Sequence, residues 1–227
     1  MYKKYSKIQH SKTYESTIEF IRYISKHINL KKKTLVDLAC GGGASTIYLA
    51  EKYKSSSIIG IDIDTNLLRI ANDYKNKRKT KNVKFEKGNW YNVYKQKKID
   101  GVISFQSLSF IKGNLKEKIS VFHKKKFGFL AFSTLCTPHE VDFNINVNDF
   151  SKGEFERGTY DIYSFATLKK LLQKQGYKKI FFKQFFIKQK LVKPKHKGMG
   201  SYTVKIKNKN YLFSGGIHLP YYFIVCY

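Results

Sequence analysis

The chain has 227 residues, enough for one ordinary domain and too few for a two-lobed enzyme. With 42% hydrophobic and 16% aromatic residues it has ample apolar surface for a core, which excludes general disorder. The 44 Lys and Arg against 16 Asp and Glu leave a net charge of +28, which favours anionic partners over cationic ones.

Only four of those cations are Arg (Arg22, Arg69, Arg78, Arg157), the side chain best suited to forked contacts with phosphate or base edges. The lysines are spread through every segment without forming a basic tail, so a solvated lysine surface stands as an alternative to a functional basic face. Cys40, Cys136 and Cys226 are odd in number and far apart, which fits a reducing compartment, the cytoplasm, rather than a disulfide framework or a zinc site. The polar N-terminus has no apolar signal region, and the uncharged stretch 211–227 is too short and too broken to span a bilayer.

In chain order, Ser16-Thr-Ile-Glu19 matches a capping box ahead of Ile18, Ile21, Ile24 and Ile28, predicting a first helix. Leu35-Val-Asp-Leu-Ala39 has the continuous apolar character of a buried parallel strand, and Gly41 to Gly43 end it. A helix over Ala44 to Tyr53 and a second strand over Ser57 to Asp62 complete a βαβ unit. The alternation continues with a helix around Leu67 to Tyr74 and strands at Val83 to Phe85 and Ile99 to Phe105. An amphipathic stretch at Leu115 to Phe122 and a strand at Phe127 to Ser133 follow. Residues 135–160 break the rhythm and read as a loop-rich cap. A helix over Ser164 to Gln175, an extended stretch over Tyr177 to Lys188, a hairpin turning at Asn208-Lys-Asn210 and a final apolar run, Tyr221 to Cys226, end the chain.

The expected architecture is α/β: a Rossmann-like, doubly wound seven-stranded sheet, mostly parallel, with an antiparallel C-terminal hairpin. A single domain fills 1–227, with a helical cover over 1–30, a cap insertion over 135–162 and the hairpin over 200–227.

Chemistry concentrates at Val36-Asp-Leu-Ala-Cys-Gly-Gly-Gly43, between a predicted strand and a predicted helix. Glycines there let a ligand approach backbone at an open helix N-terminus. The third glycine of a dinucleotide fingerprint would fall at position 46, which is Thr46. Asp37 would repel a pyrophosphate but suits an ammonium or sulfonium. Asp62 ends the second strand 19 residues after Gly43, where an acid can accept ribose hydroxyls. Together these residues describe a site for an adenosine with a cationic amino-acid tail. As purely structural alternatives, the glycines could form a tight turn and Asp62 could cap the following helix.

The pattern resembles the class I S-adenosylmethionine-dependent methyltransferases, whose first motif is close to D-x-G-x-G-x-G. The match reads Asp37, Ala39, Gly41 and Gly43, with Ala39 where the family usually has glycine. The resemblance covers roughly residues 30–190. It implies S-adenosylmethionine as cofactor and S-adenosylhomocysteine as product, with no metal. It also implies that Gly41 and Gly43 line the methionine moiety, that Asp62 holds the ribose and that Ile63 covers one adenine face. Asn89 would accept from the adenine amino group, Trp90 would stack, and Gln106 would stand at the carboxyl end of the fourth strand, in a segment similar to the family's F-D-x-V.

In-line methyl transfer asks the protein to align the nucleophile, exclude water and take up a proton where the acceptor is a hydroxyl. His139, leaving the predicted fifth strand, is the first base candidate, and His10 and Tyr14 are alternatives. Asp142, Glu154 and Tyr160 are weaker options, with His27 placed on a helix surface and His196 in a basic loop. No Asn- or Asp-Pro-Pro-aromatic sequence follows the fourth strand, and Leu, not Pro, precedes Cys136. By the same resemblance, the first absence counts against the exocyclic-amine nucleic-acid methyltransferases and the second against the C5-cytosine type. The expected function is O- or N-methylation of a small anionic metabolite, such as a nucleotide- or phosphate-linked precursor of a surface polysaccharide, by a monomer or homodimer. RNA methylation and a non-catalytic binding role are the alternatives.

Overall fold

The computed structural model of the protein describes residue 10 and residues 12–95, 98–111, 113–152, 154–195 and 197–227. Five parallel strands form its centre: β1 (Thr34–Leu38), β2 (Ser57–Asp62), β3 (Val83–Lys87), β4 (Gly101–Ser104) and β5 (Phe129–Thr137). A hairpin, β6 (Phe143–Lys152) and β7 (Glu154–Ser164), follows β5, and β8 (Ile180–Gln184) lies beyond it in the chain. Next come a small sheet of β9 (Ser201–Ile206), β10 (Lys209–Ser214) and β11 (Ile217–His218), and last β12 (Tyr221–Cys226).

The central order is β3-β2-β1-β4-β5-β12-β8. The chain order reverses between β1 and β4, and ligands of open α/β sheets bind at such a switch point, beyond the carboxyl ends of the strands. The neighbours Asp37, Gly60 and Ile103 share one register row there.

Successive side chains along β1, β2, β4 and β5 point to opposite faces, and both faces are buried. Val36, Leu38, Ile59, Ile61, Val102, Leu130 and Phe132 form one core with Ile119 of α4 (Leu115–Ser120) and with Leu168 and Leu172 of α5 (Phe165–Lys174). Leu35, Ile58, Ile103, Phe129 and Ala131 form the other with α1 (Glu15–His27) and α2 (Ala44–Lys52). With both faces covered, the strands read as unbroken apolar runs rather than polar and apolar residues in turn. Helix α3 (Thr65–Arg78) connects β2 to β3. Among the described residues no helix is long and apolar enough to cross a membrane.

Four local expectations are corrected. The capping box on α1 does not form: Tyr14 is the N-cap and makes no side-chain cap bond, while Glu19 turns to Arg22, Lys183 and Lys188. A capping box is present instead on α4, between Asn114 and Glu117.

Residues 135–160 are not loop-rich. β5 runs on to Thr137, and β6 and β7 pair from Phe143↔Ile162 to Lys152↔Glu154, with β7 joined to β5 at Cys136↔Tyr163. The C-terminal hairpin turns at Lys207 and Asn208, both with positive φ (44° and 65°), one step earlier than the glycine-free sequence suggests. Two successive residues of positive φ match the twist of a two-residue hairpin turn. That hairpin belongs to the separate small sheet. The antiparallel strand of the central sheet is β12, seated between β5 and β8.

Candidate active site

The site grows from the turn between β1 and α2. After Leu38 the chain passes through Ala39 (φ 60°), Gly41 (φ 54°) and Gly43 (φ 77°) before the helix starts at Ala44. Ala39 therefore occupies a left-handed backbone position that glycine adopts at lower cost. At Gly43 a Cβ would lie 2.7 Å from the Phe85 ring and 2.8 Å from Ala71, so the helix could not pack as closely with a side chain there. At Gly41 a Cβ would meet nothing within 4 Å, and this glycine borders open space.

The turn is tied to the end of β2. Cys40 N donates to the Ile61 carbonyl (3.0 Å), and Gly41 N donates to Asp62 Oδ2 (2.7 Å). Asp62 Oδ1 accepts from Asp64 N (2.9 Å), while Asp64 itself caps α3 by accepting from Asn66 N and Leu67 N. Asp62 is thus not the helix cap; its carboxylate braces the glycine turn.

Asp37 is buried at the carboxyl end of β1. Its Oδ2 accepts from the Thr46 hydroxyl, and its Oδ1 has no hydrogen-bond partner. Burial pushes its pKa up to about 7; the Thr46 bond opposes this, and the charge of Asp62 adds to it. A buried carboxylate oxygen without a partner is costly unless a cation or donor meets it. Asp37 lines a cavity of about 440 Å³ with Gly41, Phe20, Gln106, Ser133 and Tyr221. A second cavity, about 380 Å³, is lined by Asp62, Ile63, Asn89, Trp90, Tyr91 and Ile111. Ala39 lines both.

Eight of the nine residues expected at a cofactor thus fall along these two spaces; Gly43 lines neither and packs against Phe85 and Ala71 instead, so it acts on the site by letting α2 start close to the sheet. Ile63 is 66% exposed at the rim of the second, an uncovered apolar side chain beside an apolar slot. Asn89 Oδ1 already accepts from Tyr91 N (3.1 Å). Trp90 is a core residue as well as a lining one: it stands edge-on to Phe122, and its indole N–H donates to the Lys118 carbonyl (2.9 Å). It serves as packed floor, so a free stacking plate is not what the structure provides. Gln106 takes a positive φ (55°) at the end of β4, and its N–H donates to Ser133 Oγ (2.9 Å).

The base candidates divide. Tyr14 lines the larger cavity. His139 is exposed just after β5, where its N–H donates to Thr137 Oγ, and it lines neither cavity. His10 points its Nε2 at the Gly42 carbonyl (2.8 Å). Asp142 ties Ser164 N and the Thr167 hydroxyl at the start of α5, and these bonds hold its carboxyl below the usual range against burial. Glu154 and Tyr160 belong to β7, and His27 stacks on Phe181. His196 lies outside the described residues.

Sequence spacing uses Thr46 only to disfavour a dinucleotide, whereas the fold makes it the partner of Asp37. Phe20, Phe105, Ser133 and Tyr221 are also lining residues that no local motif marks.

Strand order, glycine turn and paired acids define the class I S-adenosylmethionine-dependent methyltransferase architecture. The family profile described as "Methyltransferase domain" matches residues 29–176, and the chain belongs to that family.

A provisionally assigned methyltransferase, 235L of Invertebrate iridescent virus 6, is 37% identical over 79 residues, or 35% of this chain. The chain spans 28% of the length of that viral relative. Magnesium protoporphyrin IX methyltransferase of Synechocystis PCC 6803, solved with bound SAM, superposes with a TM-score of 0.57 at 13% identity, covering 93% of this chain and 78% of that one. Precorrin-8w decarboxylase of Methanobacterium thermoautotrophicum gives 0.55 at 14% identity, covering 95% and 91%. Neighbours of such different names bear on the fold alone.

Proposed function

We propose that the protein binds S-adenosylmethionine across the two cavities and transfers its methyl group to an oxygen or nitrogen of a small-molecule acceptor. The observation that carries this reading is the unpartnered Oδ1 of buried Asp37 in one cavity, joined through Ala39 to an apolar slot edged by Ile63 and Asp62. One end suits a cationic amino-acid tail and the other a flat base with its ribose. The open space at Gly41 leaves room for backbone contact.

When bound, the cofactor supplies an electrophilic methyl on sulfonium. Asp37 would hold the ammonium, Asp62 the ribose, and Ile63 with Asn89 the adenine. Phe20 and Phe105 would exclude water from the larger cavity, while Tyr14, Gln106 and Tyr221 would orient the acceptor. Tyr14, which lines the larger cavity, would take up an acceptor's proton in place of the exposed His139.

The net charge of +28 supports an anionic acceptor, such as a nucleotide- or phosphate-linked precursor. Among the described residues that line the larger cavity there is no Lys or Arg, so the charge would act as a field drawing an anion in rather than as a clamp. Three free cysteines fit work in the cytoplasm.

Calorimetric titration of cofactor-free protein with S-adenosylhomocysteine tests the cofactor assignment, and micromolar binding is expected. Methyl transfer from labelled cofactor to anionic metabolites and to RNA, each at two salt concentrations, tests the acceptor. Absence of binding by the folded protein overturns the assignment. Transfer to RNA alone, lost steeply as salt rises, replaces the small acceptor.

A further inference from the structure

We infer that His10 is a positioning residue that latches the N-terminal segment onto the glycine turn, so that residues 12–17 form a strap over the larger cavity. The imidazole lies flat on Tyr74 of α3, with ring centroids 3.7 Å apart and planes 4° from parallel. Its Nε2 stands 2.8 Å from the Gly42 carbonyl, and the Tyr74 hydroxyl donates back to the His10 carbonyl (3.2 Å). A carbonyl oxygen can only accept, so Nε2 must carry the hydrogen. A group engaged in this way is a donor to backbone and not a base for an acceptor. Burial pushes the imidazole below its ordinary pKa, with Lys77 adding to the shift and the Gly42 bond opposing it; this agrees with a neutral ring carrying its hydrogen on Nε2.

A second fastening closes the strap. Thr17 Oγ lies 2.9 Å from Ser45 Oγ, on the first turn of α2. Between the two attachments, Tyr14, Ser16 and Thr17 line the same cavity that Gly41, Gly42 and Ser45 line from the glycine turn. Helix α1 starts without a side-chain cap, and its first turn is tied instead to distant parts of the fold, through Thr17 to Ser45 and through Glu15, which accepts from Lys188 N. The strap and the turn border the same cavity, and the His10 to Gly42 bond resists any widening of the gap between them.

The identity of the ligand rests on the cofactor reading above; the latch itself does not. His10→Phe keeps a ring for Tyr74 but loses the donor, and His10→Gln keeps a nitrogen donor but loses the ring. Amide hydrogen exchange over residues 41–47 of the ligand-free protein, together with stopped-flow release of S-adenosylhomocysteine, reads the effect.

In the Phe variant, exchange and release should both quicken roughly 3- to 10-fold, the worth of one hydrogen bond, with the melting temperature lowered by only about 1–5 °C. The Gln variant should return both toward wild type. Wild-type exchange in the Phe variant, or a Gln variant as fast as Phe, overturns the latch. If wild-type protein binds no S-adenosylhomocysteine, the cofactor reading fails while the exchange experiment still decides the role of His10.

Discussion

Replacing Asp37 with asparagine removes a buried charge and keeps a side-chain oxygen for the Thr46 hydroxyl. In the unfolded chain this carboxyl titrates near 3.8, and in the folded protein burial raises it to about 7. Between those values the native state holds a proton that the unfolded state has released. The stability of the ligand-free protein therefore falls as pH rises from about 4 to about 7, and levels off above that. A difference of about 3 pH units at 1.36 kcal/mol each amounts to about 4 kcal/mol.

Asp37→Asn has no proton to lose, so its advantage over wild type should grow from nothing near pH 4 to about 4 kcal/mol at pH 8. For a chain of this size that is about 8–16 °C in melting temperature. Ligand affinity should move the other way. Removing one partner of a buried charge pair costs about 2–5 kcal/mol, so S-adenosylhomocysteine should bind at least about 30-fold more weakly to the variant. Thermal melts from pH 4 to 8 and calorimetry at pH 8 read the two effects. Parallel melting profiles for variant and wild type would refute the idea that Asp37 is an uncompensated buried charge held ready for a cation.

Ala39→Gly relieves a left-handed φ of 60° and should raise stability by about 1 kcal/mol in urea unfolding; a loss would show that Ala39 is not strained. Gly43→Val drives a side chain into Phe85 and Ala71, so both melting temperature and S-adenosylhomocysteine affinity should drop, and wild-type values for either would contradict the packing described. Asp62→Ala leaves the amides of Gly41 and Asp64 without their acceptor, at a cost of about 1–3 kcal/mol, and should weaken S-adenosylhomocysteine binding at least tenfold by calorimetry. His139→Ala, at an exposed position, should leave stability within about 0.5 kcal/mol and turnover unchanged from pH 6 to 9; a fall that tracks an imidazole titration would restore His139 as the base.

Much of this protein can be read from local sequence because the relevant physics is local. A strand covered on both faces must be apolar without interruption, and Leu35-Val36 and Ile58-Ile59 show it. A backbone that must approach a ligand needs glycine, and Gly41 to Gly43 stand between strand and helix. The hairpin of β6 and β7 is also written in the chain, in the strict alternation of Asn144, Asn146 and Asn148 with Ile145 and Val147. Asparagine's preference for turns hides that period of two until the partner strand is seen.

Other features have no local signature. The insertion of β12 between β5 and β8 is set by pairing with strands far away in the chain, and β9 and β10 pair with each other outside the central sheet. The lining residues Phe20, Phe105, Ser133 and Tyr221 come from four separate elements or their ends. His10 meets Gly42 and Tyr74 across 32 and 64 residues of chain.

Composition, periodicity and spacing therefore determined the α/β class, the order of strands and helices up to β5, and the acids that flank the glycine turn. Tertiary packing alone decided that one oxygen of Asp37 is left without a partner, that His139 stands in solvent, and that His10 bonds the turn. Burial and hydrogen-bond partnership are properties of what surrounds a residue, and for these three the surroundings come from distant parts of the chain.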